Sequence, residues 1–179
     1  MKRLTMIALV LALTTAACTK DDDNTNPVAP TGTVTLVSQM TASQEIPAAT
    51  APETAAAGTA KITLAPAGGG AYTATFLFQI GGLLRAGVLP APLDNGSVIV
   101  AGHIHSGAAG TVGPPVVALP ISLAAPLVSP TGAILIQFSG VAVSADAAAA
   151  ILANPAGFYV NLHSAVNPGG VVRGHLVRQ

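Results

Sequence analysis

A single cysteine, Cys18, cannot close a disulfide within the chain, so cross-links are excluded as the source of its stability. Tryptophan is missing and aromatics make up 3% of residues, which leaves a core of Val, Ile, Leu, Ala and four Phe. Charged residues are scarce too, at 8%. With Lys2 and Arg3 set aside, five basic side chains face seven acidic ones, a formal charge of 5 − 7 = −2. Nucleic-acid binding needs clustered Lys and Arg to displace counterions from phosphates, so that class of partner is excluded. Few acids also remain to orient a catalytic base. Ser106 and Ser164 each follow a histidine-bearing segment, but sequence adjacency makes no nucleophile–base geometry, and a hydrolase is disfavoured.

The chain opens with a charged start (Lys2, Arg3), an apolar stretch from Leu4 to Leu13, and the small residues Thr14-Thr15-Ala16-Ala17. This is the layout of a secretory signal over residues 1–17, too short to span a bilayer as a stable helix. The small residues run into Cys18 and resemble a bacterial lipobox, in which the cysteine is acylated and becomes the first residue. Thr15 stands where Leu is usual, so plain secretion is the alternative. The expectation is a membrane-anchored lipoprotein, at the outer membrane or cell surface, tethered through Cys18. Residues 18–32 are polar, acidic and proline-bearing, an unstructured spacer. One domain follows, over 33–179.

From Thr33 onward apolar residues alternate with period two, the signature of strands. Seven segments qualify: 34–40, 59–65, 72–80, 97–105, 133–138, 158–163 and 171–177. Turn-forming stretches such as "PAGGGA" (66–71) and "LDNGS" (93–97) separate several of them. One helix is expected near 145–153, with Ser144 as N-cap, Asp146 in the first turn and a stop at Asn154-Pro155. The class is all-β: an immunoglobulin-like, Greek-key β-sandwich or a small antiparallel barrel.

Residues two apart on a strand share a face, so parity sorts the side chains. In 97–105 the even positions Val98, Val100 and Ile104 are apolar, while His103 and His105 are odd. In 158–163 Phe158, Val160 and Leu162 are even, while Tyr159, Asn161 and His163 are odd; in the last segment Val172 and Leu176 are even, Arg173 and His175 odd. All four histidines therefore fall on the polar faces. Neutral imidazole is a good ligand for zinc and copper, and an H-x-H pair aims two nitrogens the same way. His103, His105 and His163 form a candidate His₃ set, with His175 or water as the fourth ligand. The competing reading has these rings hydrogen-bonding at the sheet rim and fixing the loop from Ser106 to Pro115. That loop carries Gly107, Gly110 and Gly113 without the Lys of a phosphate loop, so its glycines serve backbone conformation.

Three blocks together, "MTASQEIPAAT" (40–50), "AGHIHSGAAGTVGPPVVAL" (101–119) and "ILANPAGFYVNLHSAVNPGGVVRGHL" (151–176), resemble the CHRD domain, which is named after chordin and found in secreted bacterial proteins. The resemblance covers nearly everything from Val34 to Val177 and implies an all-β fold outside the cytoplasm, without a general biochemical activity. Ala48, Ser164, Val171 and His175 depart from the usual pattern, the last standing where Gln is common. Glu45 and Arg173 lie in separate blocks and are expected either to pair, joining the first and last strands, or to stand as two solvated charges that add little to stability. The reading is a noncatalytic binding or structural module of the cell envelope, with an unknown extracytoplasmic protein or ligand as partner. The alternative is a copper or zinc metalloprotein, redox-active if a coordination position stays open.

Overall fold

The computed structural model describes residues 32–83, 98–129 and 131–179. The leader over 1–17, Cys18 with its spacer up to residue 31, and the turn at 93–97 lie outside the described residues. In chain order the elements are β1 (Val34–Thr41), β2 (Ala57–Gly68), β3 (Ala71–Gly81), β4 (Val98–Ser106), β5 (Pro115–Ala118), β6 (Leu127–Val128), β7 (Ile134–Val143), α1 (Ala145–Ala153), β8 (Phe158–Ser164), β9 (Val172–His175) and β10 (Val177–Arg178).

All seven expected segments carry strands, the last one divided into β9 and β10. β5 and β6 are additional, short, and paired to the two ends of β4. The strands form one antiparallel sheet in the order β5-β4-β8-β9-β1-β2-β3-β7, with β10 on β1 and β6 on β4. The sheet curls until its two end strands approach, Ala118 and Leu119 sharing a cleft with Ser139–Ala142, which makes it a nearly closed barrel.

Alternation builds the inside of this curl. Leu36, Ile62, Leu64, Phe76, Phe78, Val160, Leu162 and Val172 are all buried even-numbered residues. Cross-strand register stacks them in rows, Leu36 beside Ile62 and Ile62 beside Phe76. α1 covers part of this core with Ala148, Ile151 and Leu152. It begins where the Ser144 side chain accepts a hydrogen bond from the Ala147 N–H and ends at Asn154, the residue before Pro155.

Two bulges shift the alternation. On β7, Phe138 faces Phe76 and Val141 faces Ala74, so one extra residue is inserted and the buried positions change from even to odd numbers. Gly140, at φ +70°, takes the left-handed conformation there. On β4, Ile99 faces Ser164 and Ala101 faces His163, again one residue too many. This corrects the parity expected for the start of β4. Val98 and Val100 are half-buried, and Ile99 is the residue sunk in the core. Beyond the bulge, Ile104 points in and His103 and His105 point out, as the alternation predicts.

An Ile99→Ala variant is therefore expected to lose about 2–5 kcal/mol of unfolding free energy. Val100→Ala is expected to lose less than half as much. Chemical denaturation of the two variants compares them directly, and equal losses would contradict the bulge.

Candidate functional site

The antiparallel register lays the polar side chains in rows across the outer face of the sheet. His103 on β4 faces Asn161 on β8, which faces Arg173 on β9, which faces Thr41 on β1. In the next row His105 faces Tyr159, and Tyr159 faces His175. His163 sits opposite Ala101, diagonal to His103. Since alanine leaves room at position 101, the His163 ring closes on His103, with centroids 5.1 Å apart; His103 and His105 are 5.3 Å apart.

The histidines are half-buried, and one ring nitrogen from each of His103, His105 and His163 lies within 4.8 Å of the other two. Backbone carbonyls orient two of the rings. His105 Nδ1 donates to the Gly113 carbonyl at 2.8 Å and His163 Nδ1 to the Pro168 carbonyl at 2.9 Å. A carbonyl accepts but never donates, so Nδ1 carries the proton in both rings and each Nε2 keeps its lone pair. The lone pair of His163 faces His103 Nδ1 at 3.2 Å. That of His105 is buried without a hydrogen-bond partner. His175 is turned elsewhere, its Nε2 3.3 Å from Arg173 Nη2, and does not join the group of three.

The field at this site opposes protonation. Burial first, then the neighbouring rings of His163 and His105, lower the pKa of His103 to about 4. Burial likewise lowers His105 and His163, against the opposing pull of the carbonyls of Gly113 and Pro168. His175 is lowered by burial and by the charge of Arg173. At neutral pH all four rings are uncharged bases.

Arg173 is 1% exposed. Its guanidinium lies over the Tyr159 ring, 3.4 Å from the centroid, and Nη2 donates to the Thr111 carbonyl at 2.6 Å. The other side of Tyr159 is available to His105, whose ring stacks at 4.9 Å with 5° between planes. Glu45 is 5% exposed, seated against Gly170, where a Cβ would collide with its carboxyl group. Burial raises its pKa to about 7, and the Arg173 charge and the Asn161 amide pull it back down. Glu45 and Arg173 thus share one buried region and feel each other's charge, while Glu45 Oε1 and Arg173 Nε have no hydrogen-bond partner.

With this geometry in view, comparison with known families finds the CHRD domain over residues 36–176. The chain belongs to the CHRD domain family. No curated protein and no solved structure matches it. Within the CHRD domain the three blocks quoted above converge: the first supplies Glu45, the second His103, His105 and the Thr111 and Gly113 carbonyls, the third Tyr159, Asn161, His163 and Arg173. Sequence reasoning named the rings and, in its competing reading, their hydrogen bonding to the loop from Ser106 to Pro115, a bond that His105 makes to the Gly113 carbonyl. It did not single out which carbonyls orient the rings, because a loop's backbone acceptors carry no residue signature. It also missed Tyr159 as the plate between His105 and Arg173, although its parity placed it on the correct face. Ser164 Oγ, considered above as a nucleophile, is fully buried and donates to Glu53.

The two kinds of shifted group act on stability in opposite senses. Folded Glu45 keeps its proton up to about 7 against 4.5 for the free group. Its contribution to stability is present below 4.5 and lost as pH rises through about 7. The histidines contribute above 6.5, and His103 loses that contribution as pH falls toward about 4. In a Glu45→Gln variant the first trend vanishes. Its unfolding free energy is expected to rise more steeply with pH across the 4.5–7 window than that of the parent, by up to about 1.4 kcal/mol per pH unit. Urea titrations at several pH values measure both slopes, and parallel slopes would show that Glu45 titrates normally.

Proposed function

We propose that this chain is a noncatalytic, extracytoplasmic CHRD module that holds one copper or zinc ion through His103, His105 and His163. Membership of the CHRD family supports the location. The observation that carries the metal reading is the convergence of three imidazole nitrogens within 4.8 Å, two of them in rings whose other nitrogen is tied to a carbonyl. This carbonyl-to-ring arrangement is how proteins fix the tautomer and direction of a metal-binding histidine. At His103 an ion takes the place of the proton now shared with His163, after His103 moves its own proton to Nε2. Depressed pKa values favour the same outcome, since a ligand must be deprotonated. With three protein ligands, the fourth position belongs to water or an exogenous group.

Lipidation at Cys18 forms part of the same proposal and rests on the small residues before it. The lipid holds the module at the membrane, and residues 19–32 act as its tether. Palmitate labelling tests this directly: label is expected on the parent and absent from Cys18→Ser, and equal labelling of both refutes the anchor.

For the metal, untagged protein is expected to bind one equivalent of Cu(II) or Zn(II) in calorimetry, Cu(II) the more tightly, as the general order of divalent metals requires. The His103→Ala/His105→Ala variant is expected to lose stoichiometric binding while keeping its fold, because both rings lie outside the aliphatic core. Absence of binding by the parent, or unchanged binding by the variant, leaves these rings as hydrogen-bonding groups of the sheet rim and overturns the metal reading.

A further inference from the structure

Glu53 is fully buried in the loop between β1 and β2, in a chain with only seven acidic residues. A carboxyl group leaves water at a cost that must be met by hydrogen bonds. Its Oε2 accepts from Ser164 Oγ at 2.5 Å and from Asn167 Nδ2 at 2.7 Å. Ser164 is the last residue of β8 and Asn167 lies in the loop that follows, both more than a hundred residues away in sequence. The contacts thus tie the loop between β1 and β2 to the end of β8 and the loop that follows it.

Asn167 is the centre of this knot. Its Oδ1 accepts from the backbone N–H and the hydroxyl of Thr50, at 2.8 and 2.9 Å, and its own N–H donates to Ser164 Oγ at 2.9 Å. Its carbonyl accepts from the N–H of Gly170 at 3.0 Å, closing a four-residue turn, and from the N–H of Ser164 at 3.2 Å. Asn in first place and Pro in second suit such a turn, because the asparagine side chain bonds locally and the proline ring presets its φ. The second residue is Pro168, whose carbonyl receives the proton of His163 Nδ1.

We infer that Asn167, clamped by Glu53 and Thr50, is a positioning residue that aims the Pro168 carbonyl and so fixes His163 in the tautomer that presents Nε2 to His103. The inference rests on the metal reading for its purpose. Its physical content, the tautomer of His163, exists without any ion. His105 provides an internal reference, since its Nδ1–H is held by Gly113 in a different loop. Loss of the clamp frees the Pro168 carbonyl to turn, and His163 then distributes its proton over both nitrogens while His105 does not.

The experiment reads the ring nitrogens of metal-free protein by long-range ¹H–¹⁵N NMR, with Zn(II) affinity measured in parallel. In the parent, His163 and His105 are both expected as Nδ1–H. In Asn167→Ala, His163 is expected to become a tautomer mixture with His105 unchanged, and Zn(II) affinity to fall about 10- to 100-fold, as for other groups that orient a metal ligand. Glu53→Gln, which preserves shape, is expected to show the same pattern in weaker form, and it carries the test should Asn167→Ala not fold. The inference is overturned if His163 stays Nδ1–H in the folded variants. It is equally overturned if His105 and His163 shift together, which marks general loosening. Should the parent bind no zinc, the metal reading fails, yet the tautomer measurement still decides the role of Asn167.

Discussion

Antiparallel pairing of β4 with β8 sets Ala101 against His163 and His103 against Asn161, and the whole site follows from that register. Side chains alternate along a strand away from a bulge, so a slip of one strand by one residue would turn its imidazoles inward and its aliphatic residues outward: Ile104 if β4 moved, Val160 and Leu162 if β8 moved. What prevents the slip is on the opposite face. Ile104, Val160 and Leu162 are completely buried in the barrel interior, and those of the strand that slipped would have to leave it. The geometry of the polar groups is therefore held by aliphatic packing, which gains nothing from the chemistry of the histidines. The bulge at Ile99 and Ala101 belongs to the same constraint, because it shifts the phase of β4 so that Ile99 and Ile104 can both reach the core.

The outer face of β4, β8 and β9 is itself roofed by loops, which is why Tyr159, Asn161 and Arg173 are buried on a side that parity marks as polar. Such a layer persists only if its polar atoms find partners. Here three backbone carbonyls supply part of that need, Thr111 for Arg173, Gly113 for His105 and Pro168 for His163, while Glu45 Oε1, Arg173 Nε and His105 Nε2 stay without a hydrogen-bond partner. A chain so poor in acids thus uses loop backbone where others use carboxylates. Gly113 makes this possible in the first loop, since a Cβ there would overlap the Ser106 carbonyl. In the second loop the Asn167–Gly170 turn does the same work.

Much of this was legible from the residues alone. Period two located the seven main strands, and the Ser144, Asp146 and Pro155 signals located α1, because those cues are local and physical. The grouping of His103, His105 and His163 followed from parity, but their proximity did not, since it depends on which strands are neighbours. The phase error at Val98 and Val100 has the same origin: a bulge is defined by its partner strand and leaves no mark on a sequence whose residues are apolar on both sides of it. β5 and β6 were too short to show a period. Glu53 gave no signal either, lying in a loop rich in Ala, Pro and Thr where an acid reads as solvated.

Electrostatics then narrow what the site can accept. Burial and the charge of Arg173 keep His105 unprotonated, and the same field acts against any cation that approaches. A proton has only this field and one lone pair to weigh. On the metal reading proposed above, a transition-metal ion would gain three nitrogen ligands at once, a return that hard cations such as Ca²⁺ and Mg²⁺ do not obtain without carboxylate oxygens, and the group of three contains none. Neutral rings next to a fixed positive charge would on that reading discriminate by ligand chemistry and not by attraction. Glu45 is the acidic group that feels the Arg173 charge, and because burial raises its pKa to about 7, its own charge develops only as pH rises through neutrality.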